Sequence, residues 1–95
     1  MAAYLLAQVE INDRDGFGDY TSVFAPTLEP FGGKVLAADD DATPVEGVWP
    51  TGRVVIIEFD TADTAKAWYE SDAYQDISSI RRAHSDAAMV IVSGS

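Results

Sequence analysis

Hydrophobic and polar positions alternate at the start of the chain. In residues 4–11, Leu5, Ala7 and Val9 form an apolar face and the intervening side chains are mixed, which is typical of a β-strand with one face in the core. Residues 53–59 predict the strongest strand of the chain. Its central Val-Val-Ile-Ile run is apolar on both faces, which favours a central position in a sheet.

A helical stripe follows the first strand. Apolar residues recur three or four positions apart at Phe17, Tyr20, Phe24, Leu28 and Phe31. This spacing predicts an amphipathic helix that packs on a sheet. Pro26 removes a backbone donor inside the stripe, so we expect a kink or a break and restart there. The glycine pair at 32–33 is a typical helix end.

The remaining segments complete a repeated pattern. Residues 34–38 and 88–92 predict two short strands, and residues 60–61 and 71–72 carry capping side chains for helical segments after the third strand. The second of these segments is expected to form a helical turn or two through Tyr74, Ile77, Ile80 and His84. The order is strand, helix, strand, strand, helix, strand. This order predicts an α+β fold of the ferredoxin-like βαββαβ type, with a four-stranded antiparallel sheet and both helices on one face. Residues 1–95 are expected to form a single domain.

The sheet face away from the helices predicts a homodimer. If Leu5 and Val9 face the helices, Tyr4 and Leu6 point away from them, and the other strands also place large apolar residues there. Monomers rarely leave such a patch in contact with water. A second copy of the same face is the simplest cover, so we expect the two sheets to pack face to face.

Composition excludes several classes of function. The chain has no cysteine and one histidine, so thiolate sites and multi-histidine metal sites within one chain are excluded. The three adjacent acids at 39–41 lack the spacing of a calcium loop, and we expect no metal and no cofactor. The net charge of −10 disfavours nucleic acid and anionic membranes as partners. No apolar run approaches the roughly 20 residues that span a bilayer, and a cytoplasmic location is expected.

Several short motifs together resemble one family. They are AYLLAQV at 3–9, LEPFGG at 28–33, WPTGRVV at 49–55, IEF at 57–59 and AWYES at 67–71, followed by Tyr74. In this order, over essentially the whole chain, they resemble the bacterial domain of unknown function 1330 family. The resemblance implies a dimeric α+β barrel, in which two ferredoxin-like sheets pack face to face. It implies no particular function, because this superfamily contains cofactor-free monooxygenases, haem-degrading enzymes, isomerases and amino-acid-sensing domains.

Two polar residues on strands are candidates for chemistry. Alternation places Gln8 and Glu58 on the same outward face, at the edge of a cavity between two sheets. A carboxylate withdrawn from water there could act as a general base, with Gln8 positioning the ligand. The alternative is that Glu58 ends its strand in an ion pair with an arginine.

The helical segments and strand starts carry the other candidates. His84 could transfer a proton, or it could cap the end of its helix. Arg81 and Arg53 could bind a ligand carboxylate, and solvated positions are the alternative. Trp68 and Tyr74 could form the wall of an aromatic pocket, although core or interface positions suit both residues.

Two functions remain open from the sequence. One is a cofactor-independent enzyme that acts on a small carbonyl or aromatic compound, with Glu58 and His84 as catalytic groups. The other is a non-catalytic module that binds a ligand or a partner protein, or that stabilises an assembly.

Overall fold

The computed structural model describes residues 2–94, in which helices cover one face of a four-stranded sheet. The elements are β1 Ala3–Ile11, α1 Arg14–Leu28, β2 Lys34–Asp39, β3 Arg53–Phe59, α2 Ala62–Glu70, α3 Asp72–His84 and β4 Ser85–Ser93. The strand order is β2-β3-β1-β4 and all three pairings are antiparallel. The predicted βαββαβ order and the helices on one face are confirmed.

Local sequence signals explain where the helices begin and end. The side chains of Asp13, Thr61 and Ser71 each accept a hydrogen bond from a backbone N–H of the helix that follows. The helix α1 continues through Pro26 and ends at Leu28, where a short 3₁₀ turn takes over. The helix is therefore not broken at Pro26, and the change of helix type comes three residues later, at Glu29.

The helix α3 ends where the sequence predicts. The expected helical turn or two after Ser71 runs through Tyr74, Ile77, Ile80 and His84, and the structure forms one helix of 13 residues that ends at His84 and passes directly into β4 at Ser85. The face of α3 that packs on the core contains Tyr74, Ser78 and Arg81, at helical spacing. Ile77 and Ile80, which belong to the predicted stripe, are partly buried against the core beside this face.

The sheet has two chemically different faces. The inner face packs against the helices through side chains that include Leu5, Ala7, Val9, Ile57 and Phe59. The outer face carries Tyr4, Leu6, Val54, Ile56, Val90 and Val92. Val90 is 56% exposed and Val92 is 46% exposed, so this apolar surface is open to water in the single chain.

The helices of residues 2–94 are too short or too polar to cross a membrane.

Candidate ligand-binding site

An apolar cavity of about 180 Å³ lies between the inner face of the sheet and the helices; we call it the inner cavity. Its floor is formed by strand residues, mainly Leu5, Ala7, Val9, Val55, Ile57 and Met89. Its roof is formed by aromatic rings from the helices: Phe17, Tyr20, Phe24, Trp68 and Tyr74. The space is comparable to the engineered apolar cavity of about 150 Å³ that binds benzene.

Small side chains on the strands create this space. Ala7 lies at the centre of β1 and pairs with Val55 on one side and Met89 on the other. On the edge strand, Ala38 pairs with Val55 and continues the same row. The two alanines leave room beneath the aromatic roof that larger side chains would occupy.

The roof is a cluster of closely packed rings. The ring centroids of Trp68 and Tyr74 are 4.2 Å apart, and those of Tyr20 and Phe24 are 5.5 Å apart. The indole Nε1 of Trp68 donates to Thr27 Oγ1 at 3.1 Å, so its polar atom is satisfied within the core. These contacts hold the rings in place independently of any ligand.

One wall of the inner cavity carries a chain of polar groups. Arg81 Nε donates to the Tyr74 hydroxyl at 3.3 Å, and the hydroxyls of Tyr74 and Tyr20 are 2.9 Å apart. Burial and the neighbouring Tyr74 hydroxyl raise the pKa of Tyr20 well above its ordinary value. Tyr20 is therefore a neutral hydrogen-bonding group at every pH at which the protein is expected to work.

At the end of the inner cavity near Val9, the lining residue is Arg53. Its guanidinium donates two hydrogen bonds to the Asp40 carboxylate, at 2.7 and 3.3 Å, and lies 5.7 Å from the centre of the Phe17 ring. These hydrogen bonds lower the pKa of Asp40. Arg53 is thus engaged by the β2–β3 loop.

A second depression, the side groove, lies on the far side of Arg81. It has a volume of about 410 Å³ and is bounded by α2 residues Lys66, Tyr69 and Glu70 and by β4 residues around Met89. Leu5, Arg81 and Met89 line both spaces. The Arg81 side chain therefore separates the inner cavity from an open groove.

The structure brings four of the seven predicted site residues together. Arg53, Trp68, Tyr74 and Arg81 all line the inner cavity. Tyr20 was interpreted from the sequence only as part of the helical stripe, although it completes the polar wall. A tyrosine on a buried helix face requires a partner for its hydroxyl, and this was the available signal.

Gln8 and Glu58 lie on the outer face, as alternation predicts, and away from the inner cavity. Gln8 is paired with Val54 and Glu58 with Tyr4, so four positions along the strand separate them. The Gln8 side chain donates to the Thr51 carbonyl. Within the described residues Glu58 forms no ion pair with an arginine, so the arginine pairing considered for it is absent; the residue across from it on β2 is Lys34.

His84 ends α3 beside the start of α1. Its Nδ1 lies 3.4 Å from Asp13 Oδ2, and its carbonyl accepts from the backbone of Asn12 and Asp13. The ring packs against Gly16. His84 thus joins α3 to the β1–α1 turn and does not line the inner cavity.

The acidic run after β2 is occupied by local contacts. Asp39 accepts from the backbone N–H of Asp41, and Asp40 is held by Arg53. Across residues 2–94 there is no group of three or more acidic or histidine side chains arranged to hold a metal ion.

Comparison with solved structures identifies the same fold in proteins of low sequence identity. RPA0582 of Rhodopseudomonas palustris, a protein of unknown function, is similar with a TM-score of 0.81 at 16% identity, over 99% of this chain and 82% of the other. A dimeric ferredoxin-like protein of unknown function from Jannaschia sp. CCS1 has a TM-score of 0.78 at 10% identity, over 99% and 100% of the two chains.

A third similar structure has a described activity. SnoaB, a cofactor-independent oxygenase from Streptomyces nogalater, has a TM-score of 0.63 at 14% identity, over 99% of this chain and 93% of the other. No curated protein matches in sequence. The family model for the domain of unknown function DUF1330 matches residues 2–95. This chain therefore belongs to the DUF1330 family.

Proposed function

We propose that this chain binds a small, largely apolar molecule in the inner cavity. The observation that carries the proposal is the cavity itself, an apolar space of about 180 Å³ beneath a cluster of aromatic rings in mutual contact. Interiors are normally packed to the density of organic crystals, so space of this size costs stability unless something fills it. A few polar groups at one wall of an apolar pocket are the usual arrangement of a small-molecule site.

The proposal extends to a reaction that needs no cofactor. SnoaB, which shares this fold, is described as a cofactor-independent oxygenase. In this chain the polar wall of the inner cavity would present Tyr20, Tyr74 and Arg81 to a bound molecule. A neutral tyrosine hydroxyl and a guanidinium can stabilise negative charge that develops on a bound carbonyl or phenol oxygen. Glu58 and His84 do not line the inner cavity and take no part in this version of the chemistry.

A cavity-filling variant tests the binding site. Indole and toluene are suitable probes because both are apolar and small enough for the space. We expect either probe to raise the melting temperature of the wild-type chain and to shift the amide resonances of cavity residues. Ala7→Leu extends a side chain into the cavity and should abolish both effects.

Ala67→Leu is the matched control, because it makes the same change on the exposed face of α2. It should leave probe binding intact. Equal binding by Ala7→Leu, with its fold verified by circular dichroism, would place the ligand elsewhere. If neither indole nor toluene binds to the wild-type chain, the proposed function is contradicted.

We also propose that two copies of the chain associate through the outer face of the sheet. Similar structures are described as dimeric ferredoxin-like proteins, and the outer face here leaves Val90 and Val92 about half exposed. Burial of apolar surface is worth about 25 cal/mol per Å², so a face of several hundred Å² per chain offers enough free energy to offset association costs. This association is the assembly function that the sequence left open.

Sedimentation measures this association directly. We expect a dimer at micromolar concentration and a monomer for Leu6→Asp, which places a charge at the centre of the outer face. Val23→Asp is the control, because Val23 is an exposed apolar residue on α1, away from the outer face of the sheet. A monomeric wild-type protein, or a Leu6→Asp variant that dimerises as well as the wild type, would contradict the proposed interface.

A further inference from the structure

Arg81 is a buried cation without an acidic partner. Only 6% of its surface is exposed, and the ion pairs found within residues 2–94 are Arg53 with Asp40 and His84 with Asp13. Buried charges in proteins are normally paired, because removal of a charge from water is costly. The chain carries sixteen acidic residues, yet within residues 2–94 none of them lies within ion-pair distance of Arg81.

The wall formed by Arg81, Tyr74 and Tyr20 has more donors than acceptors. Arg81 uses Nε to donate to Tyr74, and in the described part of the chain its two Nη groups have no acceptor. The two tyrosines share one hydrogen bond. Whichever hydroxyl donates, one hydroxyl hydrogen remains for another acceptor.

These free donors are accessible to a ligand. Within the region that the structure describes, every side-chain nitrogen or oxygen that is fully enclosed has a hydrogen-bond partner. The unpartnered Nη groups of Arg81 are therefore not fully enclosed, and Arg81 lines both the inner cavity and the side groove. The lining of the inner cavity contains no carboxylate or amide side chain that could serve as their acceptor, and Glu70 of the side groove lies beyond ion-pair distance of Arg81.

The other arginine of the inner cavity differs in this respect. Arg53 is held by two hydrogen bonds to Asp40 and lies against Phe17. One end of the cavity thus has a neutralised arginine and the other end has an arginine with free donors. A ligand with a single anionic group would be oriented by this difference.

On the basis of the proposed function, we propose that the ligand is a small monocarboxylate with an aromatic or compact apolar body. Its carboxylate accepts from the Nη groups of Arg81 and from the free tyrosine hydroxyl hydrogen. Its body occupies the inner cavity beneath the aromatic roof. A carboxylate suits this wall because it accepts several hydrogen bonds, donates none and matches the guanidinium fork in shape.

Paired probes of equal shape test the charge requirement. Benzoate and benzamide differ mainly in charge and fit the same space, so their dissociation constants are compared by calorimetry at fixed ionic strength. We expect benzoate to bind at least tenfold more tightly than benzamide. Arg81→Met should reduce this ratio to about one through loss of benzoate affinity, with benzamide affinity retained.

Arg82→Met is the matched control. Arg82 is the next residue of α3, it is exposed, and its replacement changes the net charge by the same amount. This variant should keep the preference for benzoate. If Arg82→Met loses the preference for benzoate as Arg81→Met does, the preference depends on net charge, and Arg81 is not the residue that binds the carboxylate.

An NMR measurement on the wild-type chain tests the same contact and does not require Arg81→Met to fold. Benzoate should shift the guanidinium NMR resonances of Arg81 and leave those of Arg53 unchanged. Equal binding of benzoate and benzamide would overturn the carboxylate assignment and leave the apolar site in place. If neither probe binds, and indole and toluene do not bind either, the proposed function itself fails.

Discussion

The buried Tyr20 predicts a specific loss of stability at alkaline pH. In the folded chain burial raises the pKa of its hydroxyl and keeps it protonated, whereas in the unfolded chain it ionises near the ordinary tyrosine pKa of about 10. Unfolding above that pH therefore releases a proton, so a rise in pH favours the unfolded state. The stabilisation is complete below about pH 10 and declines above it.

The size of the effect follows from the linkage relation. For one tyrosine that ionises only when unfolded, the free energy of unfolding falls by about 0.4 kcal/mol at pH 10 and by about 1.4 kcal/mol at pH 11. Tyr20→Phe removes this dependence and also the hydrogen bond to Tyr74, which costs about 1 kcal/mol at neutral pH. The wild type should thus be the more stable protein at pH 8 and should lose its advantage near about pH 11.

Urea denaturation of both proteins across this range measures the difference. The near-ultraviolet tyrosinate absorbance gives an independent test, because native wild type and native Tyr20→Phe should show the same change in absorbance. The additional ionisation of the wild type should appear only on unfolding. Parallel stability curves for the two proteins, or an additional ionisation in the native wild type, would refute the assignment of Tyr20 as a buried hydroxyl that stays protonated in the folded chain.

Two further predictions concern the surroundings of the inner cavity. Gly52→Ala should destabilise the chain by about 2–4 kcal/mol, because Gly52 has φ +118° and a Cβ would overlap the Val9 carbonyl oxygen. Gly47→Ala should lower the free energy of unfolding by only about 1 kcal/mol, because Gly47 has φ +76° but no atom lies near its added Cβ. If urea denaturation shows equal losses for the two variants, the close approach of Gly52 to the Val9 carbonyl is contradicted. Thr27→Val should cost about 1–3 kcal/mol by leaving the Trp68 indole N–H without its acceptor, and an unchanged unfolding midpoint would contradict the buried hydrogen bond.

The fold is predictable from the sequence because several independent sequence patterns predict the same arrangement of strands and helices. Alternation in β1, the stripe of α1 and the capping residues Thr61 and Ser71 all point to the same arrangement, and the structure contains it. The stripe of Tyr74, Ile77 and Ile80 predicts α3 as far as His84, but it does not predict that Ser78 and Arg81 are buried. A hydrophobic pattern does not reveal a buried helix face that is polar.

The candidate site was predictable in part. Aromatic residues and arginines near helix ends indicated a pocket wall, and Arg81, Tyr74 and Trp68 line one cavity. That cavity was expected on the outer face of the sheet, where Gln8 and Glu58 lie. Alternation predicts which residues share a face of the sheet, but it does not predict where a cavity forms on that face. The position of a cavity depends on the volumes of the side chains that strand pairing brings together.

The register between β1 and β4 has a consequence for how the sheet assembles. Ala3 pairs with Ser93, and the Gly94 N–H donates to the Ala2 carbonyl at 2.7 Å. The central strand thus acquires one of its neighbours through a contact that spans almost the whole chain, which carries a large loop-closure cost and slows folding. Until β4 arrives, one edge of β1 is open to strands of other molecules, and aggregation competes with folding during that interval. A circular permutant that joins residue 94 to residue 2 and begins in the loop between β2 and β3 would make the β1–β4 pairing local. It should therefore shorten the time during which the edge of β1 is unpaired.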